Sequence, residues 1–341
     1  MNTKIIITIG PKSEAPEKLQ ELLKAGVDMV RVNFSHASYE QYTRIRKLVL
    51  NFNKTSSRKV SVLLDLQGPR IRIGKIPDGG IILSDGKIYN FTFSSDVHQV
   101  GGLIPIDNRD LYLDIKKDQP LFLCNGEIEL TVTAVKNKVI SARVIHGGLL
   151  TSHKGINVPD TNMRKGGLTP KDIKDLKFGL KAGAEYFGLS FVQTAADVLK
   201  LRKLIGKNKV GIISKIERGI ALKNIDEIIV ASNIIMIARG DLGIETPIEE
   251  LPIVQKNLIR HAHWHKTPAI IATQVMTSMI KNPSPTRAEI SDIANAVLDG
   301  ADVIMLSDET AVGDYALEAV KILRKVIDRT EKYVSNACIN F

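Results

Sequence analysis

The chain has 341 residues, 44% apolar and 25% charged, at a mean hydropathy of 0.00, a soluble composition with room for one large domain and a smaller one. No apolar run approaches the roughly 20 residues of a membrane helix, and the chain opens on neither a signal-peptide layout nor an Arg- and Ser-rich transit sequence, so a cytoplasmic protein is expected. The excess of 47 Lys+Arg over 37 Asp+Glu gives +10 and favours anionic partners, but without an RRM, KH, zinc-finger or helix-turn-helix pattern it provides no nucleic-acid readout.

Short β-branched runs alternate with helical periodicity, the pattern of an α/β protein with parallel strands. KIIITIG is the first predicted strand, followed by the amphipathic PEKLQELLKAG; MVRVNF, a helix from about Tyr39 to Leu50, and KVSVLLDLQG come next. From Ile73 to about His153 the texture changes to short alternating stretches such as KIYNFTF, QPLFLC, EIELTVTAV and KVISARVI, broken by glycine turns. This predicts an inserted β domain over residues 73–153. Helix–strand alternation resumes where Thr169 can cap a helix and Pro170 fits its first turn. YFGLSF, VGIISKIE, IIMIARGDLG, AIIATQ and VIMLSDE then read as strands separated by helices. With the three before the insert they make about eight βα units, the number that closes a TIM barrel. An open doubly wound sheet is the alternative, but no G-x-G-x-x-G turn follows the first strand. The fold class expected is therefore α/β, a TIM (β/α)8 barrel from residues 1–72 and 154–341 with a small β-barrel lid inserted in it.

In such a barrel the chemistry sits at the C-terminal ends of the strands. Arg31, Asn33 and Ser35 recur there with period two and so share a face, as do Lys215 with Glu217 and Ser307 with Glu309. Asp65, Asp241 and Thr273 end three further strands. Buried charges are costly unless paired or metal-bound. One Lys215–Glu217 pair alone would read as a structural ion pair; five strands ending in polar groups make that less apt. Glu217 and Asp241 offer oxygen ligands for Mg2+, and Lys215 can neutralise a phosphoryl group in transfer. Asn33, Ser35 and Asp65 carry one charge and neutral oxygens, suited to a monovalent cation, although turn capping alone would account for Ser35. The ARGDLG turn offers backbone N–H groups to a carboxylate or phosphate. HAHWH, with His261, His263 and His265, falls in a helix without a carboxylate at matching spacing and reads as a solvated face with Trp264 packing inward. Cys124 and Cys338 are too far apart in sequence to suggest a disulfide framework or metal site.

At these residues the chain resembles the pyruvate kinases. TKIIITIGPKS, MVRVNFSH, LLDLQGPRIRIG, KGINVP, IISKIE, IMIARGDLGIE and the long block from Ala272 to Ala311 follow that family's pattern in order, over nearly the whole chain. The resemblance implies transfer of the phosphoryl group of phosphoenolpyruvate to ADP, giving pyruvate and ATP, with Mg2+ (or Mn2+) and K+ as cofactors. It implies that Lys215 stabilises the phosphoryl group, Glu217 and Asp241 bind Mg2+, and Arg31 and Arg72 contact phosphate. Asn33, Ser35, Asp65 and the Leu66 carbonyl would form the K+ site; Pro11, His36 and Lys154 would face ADP. Ser190 and the Gly240 backbone would help hold the substrate, with Thr273 near the enolate carbon and Ser307 and Glu309 in a water-linked proton relay. The insert would be a lid closing over the nucleotide, hinged near Arg72 and Lys154. No nucleic-acid or membrane partner is expected.

Two departures from the family pattern stand out. The lid turn, where a pair of aspartates usually precedes the glycine, reads Leu123-Cys124-Asn125-Gly126. The chain also ends at Phe341, after the helix following the eighth strand, so the C-terminal regulatory domain is expected to be absent and a homodimer through the barrel is favoured. A catalytically weakened paralogue that binds a ligand or partner is the alternative function.

Overall fold

Runs such as Ile5–Ile7 and Ile234–Ile237 are apolar at consecutive positions, which suits a strand only when both its faces are covered. A computed structural model describes residues 3–94, 102–164 and 166–337, so Cys338 lies outside the described residues. Eight of the runs form a closed parallel barrel. In chain order the strands up to the insert are β1 (Lys4–Ile9), β2 (Met29–Asn33) and β3 (Ser61–Asp65). The insert contributes β4 (Ile71–Arg72), β5 (Ile81–Leu83), β6 (Ile88–Phe93), β7 (Leu103–Ile106), β8 (Pro120–Leu123), β9 (Ile128–Lys136), β10 (Val139–His146), β11 (Gly148–Leu150) and β12 (Gly155–Asn157). Then follow β13 (Tyr186–Leu189), β14 (Gly211–Ile216), β15 (Ile234–Ala238), β16 (Ala269–Ala272) and β17 (Val303–Leu306). The barrel order is β1-β17-β16-β15-β14-β13-β3-β2, so the whole insert lies between the neighbours β3 and β13.

Strand parity decides what each residue faces. Ile5, Ile7 and Ile9 of β1 pack outward under the helices, whereas Ile6 joins Leu63, Ile213, Met236, Ile270 and Met305 in a separate core inside the barrel. Continuing those inward registers to the C-terminal ends gives Thr8 after Ile6, Asp65 after Leu63, Lys215 after Ile213, and Ser307 after Met305. The mouth is therefore polar by the alternation that makes the interior apolar. Helix ends follow local chemistry too: Thr169 accepts a hydrogen bond from Asp172 N at 3.1 Å, closing a capping box with Pro170 in the first turn. The helix beginning at Tyr39 continues through Thr55, past the Leu50 expected.

Glycine serves the barrel at one crowded point. Gly188 on β13 sits beside Asp65 in register, and a Cβ there would lie 2.4 Å from Asp65 Oδ1. Gly188→Ala should force Asp65 aside and destabilise the fold by about 1–3 kcal/mol. The expected reading is a lower urea midpoint with an unchanged m-value; a midpoint equal to wild type would show that the pair has slack.

Strands of the insert form a seven-stranded sheet in the order β4-β12-β8-β9-β10-β6-β7, alongside a two-stranded β11-β5 pair. An antiparallel bridge between Ile73 and Ile106 joins the two ends of the larger sheet, curling it around its own core of Phe91, Leu121, Leu130, Val132, Ile140 and Val144. The chain enters and leaves through adjacent antiparallel strands: Ile73 N donates to Lys154 O at 2.8 Å, and His153 N to Ile73 O at 3.0 Å.

The HAHWH segment is a solvated helix face as expected, but its Trp264 does not pack inward. Trp264 is 85% exposed, and Ile259 and Ala262 fill the inward face instead. Both His261 Nδ1 and His265 Nε2 approach Asp226 Oδ1, at 2.8 and 3.2 Å, and His263 Nε2 lies 3.0 Å from Asp302 Oδ2. These carboxylates come from other elements, so spacing along the helix did not reveal them.

Candidate active site

The C-terminal mouth of the barrel holds a cleft of about 450 Å³. A larger hollow of about 930 Å³ opens at the opposite end, but its acceptors serve the strand starts. Asp28 receives Ile5 N, Glu185 Val62 N, Asn233 Ile212 N and Asp302 Ala269 N. The concentration of reactive groups is at the mouth.

Lys215 stands at its centre. Its Nζ lies 2.9 Å from Glu217 Oε1, donates to Ser190 Oγ at 2.9 Å and approaches Asp65 Oδ2 at 3.5 Å. Ser190 Oγ in turn donates to Leu66 O at 2.8 Å. Arg31 closes the other side of Asp65, with Nε and Nη2 at 2.7 and 2.6 Å from Oδ2. Burial alone would raise the Asp65 pKa, but the charges of Lys215 and Arg31 outweigh it and hold the carboxyl below its ordinary value. Burial pulls the Lys215 pKa down and the two carboxylates more than restore it, so the ammonium stays charged. Glu217 goes the other way: burial raises its pKa, Lys215 opposes, and the nearby charge of Asp241 adds to the rise.

That last repulsion bears on metal binding. Glu217 and Asp241 are two hard-oxygen donors, and the Asp241 charge disfavours the charged form of Glu217, an arrangement a divalent cation relieves. Among the described residues no group of three or more His, Cys, Asp and Glu side chains is arranged to hold a metal. A pair of carboxylates suits a cation that keeps waters and takes substrate oxygens, the habit of Mg2+. Asp65 Oδ1 is buried and accepts no hydrogen bond among the described residues, which fits the one charged ligand of a monovalent site. Asn33, Ser35 and Leu66 line the same cleft; Asn33 Oδ1 caps Ser35 N at 3.1 Å.

The cleft also gathers His36, Asp241, Thr273, Ser307 and Glu309. Four expected residues do not line it. Pro11 lies in the exposed turn after β1, and Lys154 is exposed at the root of the insert. Arg72 is turned to the junction with the insert, where Nη1 donates to His153 O at 3.0 Å. Gly240 N donates to Thr273 Oγ1 at 2.6 Å, so that N–H is already engaged. Glu309 sits in a short helix (Asp308–Ala311) rather than extending β17, so it does not share a strand face with Ser307. Its two oxygens accept from Met276 N and Ser307 N, at 2.9 and 2.7 Å, tying the ends of β16 and β17 together. Ser307 Oγ is buried and has no hydrogen-bond partner among the described residues.

Sequence reading missed three side chains. Arg239, quoted only as part of a turn, begins a helix (Arg239–Glu245); its Nη2 reaches Thr273 O and Gln274 O at 3.1 Å each, and its Nη1 reaches the Asp292 carboxylate at 2.7 and 2.9 Å. Thr273 and Gln274 have φ of +67° and +53°, a strained conformation for a β-branched residue. Phe191, with φ of +56°, donates its N–H to Glu217 Oε2 at 2.8 Å. Arg70 faces the mouth from the insert's root. An arginine ending an apolar strand was the only available signal for Arg239; its partners come from distant segments.

The family model "Pyruvate kinase, barrel domain" matches residues 1–320. A pyruvate kinase of Agrobacterium vitis is 41% identical over 330 residues, covering 97% of this chain and 69% of that protein. One of Thermococcus litoralis is 41% identical over 333 residues, covering 97% and 70%. One of Geobacillus stearothermophilus is 41% identical over 335 residues, covering 97% and 57%.

Proposed function

The chain belongs to the pyruvate kinase family, and we propose that its barrel mouth transfers the phosphoryl group of phosphoenolpyruvate to ADP, giving pyruvate and ATP. The observation that carries the reading is Lys215, a buried ammonium between Glu217 and Asp65 in a cleft, with Arg31 alongside. Phosphoryl transfer asks a protein for positioning and for fixed positive charge where negative charge spreads. Lys215 provides that charge at the phosphoryl group, while Arg31 and, after turning from the hinge, Arg72 hold phosphate oxygens.

As the P–O bond to the enol oxygen breaks and the new bond to ADP forms, the pyruvate enolate remains and takes a proton at its methylene carbon. Thr273 borders that position, and the unpartnered Ser307 hydroxyl is placed to pass the proton. Glu309 acts through its clamp on Ser307 N. Glu217 and Asp241 would hold the divalent cation, Mg2+ or Mn2+, which neutralises substrate oxygens when bound. Asn33, Ser35, Asp65 and the Leu66 carbonyl would hold K+. Residues 1–72 and 154–341 are read as the catalytic barrel and 73–153 as the lid over the nucleotide, with Pro11, His36 and Lys154 on its nucleotide side. Among the described residues no helix is long and apolar enough to cross a membrane, in keeping with a cytoplasmic enzyme.

Purified protein given Mg2+, K+, phosphoenolpyruvate and ADP should form pyruvate and ATP in equal amounts. Replacing K+ by tetramethylammonium should lower the rate. Pyruvate formation no faster than in a Lys215→Met control would overturn the reading.

A further inference from the structure

We propose that Arg70 reads the terminal phosphate of the nucleoside diphosphate when the lid sits over the barrel, a role that rests on the phosphoryl-transfer reading above and adds a residue to it. Arg70 follows the Gly68-Pro69 turn at the root of the insert. Its Nη2 lies 3.4 Å from Asn125 Oδ1 on the lid turn and 3.6 Å from Asp241 Oδ1 on the barrel. One guanidinium thus spans lid and mouth. The lid turn is seated beside the helix that carries Asp241: a Cβ on Gly126 would rest 3.7 Å from the Ile244 side chain. Gly155 leaves room for the guanidinium, since a Cβ there would lie 3.3 Å from Arg70 Nη2.

Charge pairing separates Arg70 from its neighbours. Arg31, Lys215, Arg218 and Arg239 each have a carboxylate oxygen within 3.0 Å. Among the described residues Arg70 has only the two long contacts just given. An aspartate at position 125 would take its charge into an ion pair; Asn125 offers a neutral oxygen and leaves the charge for an incoming anion. Arg72 stands close enough that Arg70's charge, after burial, helps depress its pKa. Two guanidiniums so close at the root of the insert are relieved by an anion between them, and a diphosphate has the charge and the oxygens for fork-like binding.

Calorimetric titration of ADP with Mg2+ and no phosphoenolpyruvate, alongside steady-state kinetics, tests this for Arg70→Met, Arg70→Lys, Asn125→Asp and the Arg70→Met/Asn125→Asp double variant. Arg70→Met should weaken ADP binding and raise the ADP KM by about tenfold or more, the loss expected of a charged hydrogen bond. The phosphoenolpyruvate KM should stay within about twofold, and Arg70→Lys should recover part of the loss. Asn125→Asp should weaken ADP binding in the parent and add nothing in Arg70→Met. Unchanged ADP affinity in Arg70→Met, equal rises in both KM values, or no ADP binding by the parent would overturn the proposal. A parent that binds ADP through Arg70 yet makes no pyruvate would sink the reaction reading and leave this one standing.

Discussion

Lys215→Met is expected to lower kcat by about a thousandfold or more, the largest effect of any single substitution at the mouth. The ammonium is buried, 8% exposed, and kept charged by Glu217 and Asp65, so it acts in a water-poor site where a fixed charge counts for most. Methionine keeps an unbranched chain of similar length, so packing against Ser190 and the inner core is largely retained. The substitution also strips Glu217 and Asp65 of a partner. Breaking a buried pair costs about 3–5 kcal/mol, although Glu217, whose pKa burial already raises, can protonate and blunt that loss. Rates should therefore be normalised to the folded fraction measured by near-ultraviolet circular dichroism. A folded Lys215→Met that keeps more than about a tenth of the parental kcat would remove Lys215 from the chemistry.

Periodicity made most of this site legible. Period-two spacing of Arg31 with Asn33 and of Lys215 with Glu217, and the strand-end places of Asp65 and Ser307, are readable in the sequence; the inward parity of Ile213/Lys215, Leu63/Asp65 and Met305/Ser307 needs the barrel's own core to show it. The insert was legible for a related reason: a change from helical to two-residue periodicity shows in sequence even when its sheet order does not. Side-chain direction after a strand ends was not legible. Ser307 and Glu309 have strand-like spacing, yet the chain turns helical at Asp308, and Glu309 is spent on two backbone N–H groups. Arg72 matches the family pattern but points to the root of the insert, because His153 O on the neighbouring segment offers it an acceptor. Trp264 faces solvent because the helix buries a stripe through Ile259 and Ala262, and a bulky side chain on the opposite face has no core to enter.

Arg239→Lys should be nearly as damaging as losing a mouth residue, although lysine preserves the charge. The guanidinium makes its contacts in two directions: toward Asp292 and Gln255 on two helices, and toward the carbonyls of Thr273 and Gln274. A lysine is a single point of charge and has no planar fork with which to meet both sets. Once the carbonyls lose their donor, nothing comparable holds two consecutive residues at positive φ, a conformation worth of order 1–3 kcal/mol of strain each. Thr273 would relax, taking with it the hydroxyl that receives Gly240 N and the wall of the cleft where the enolate carbon is to lie. A shift of about 1 Å in a positioning element can cost about a hundredfold in rate, and that is the fall in kcat expected. Stability should drop by about 1–3 kcal/mol, since the carbonyls of Thr273 and Gln274 lose their donor. The informative comparison is ligand binding: ADP affinity by calorimetry should change little, because Arg239 touches none of the residues assigned to the nucleotide. If kcat survives in a variant whose unfolding midpoint has fallen, the strained turn is structural, and the geometry of Thr273 is not what the reaction needs.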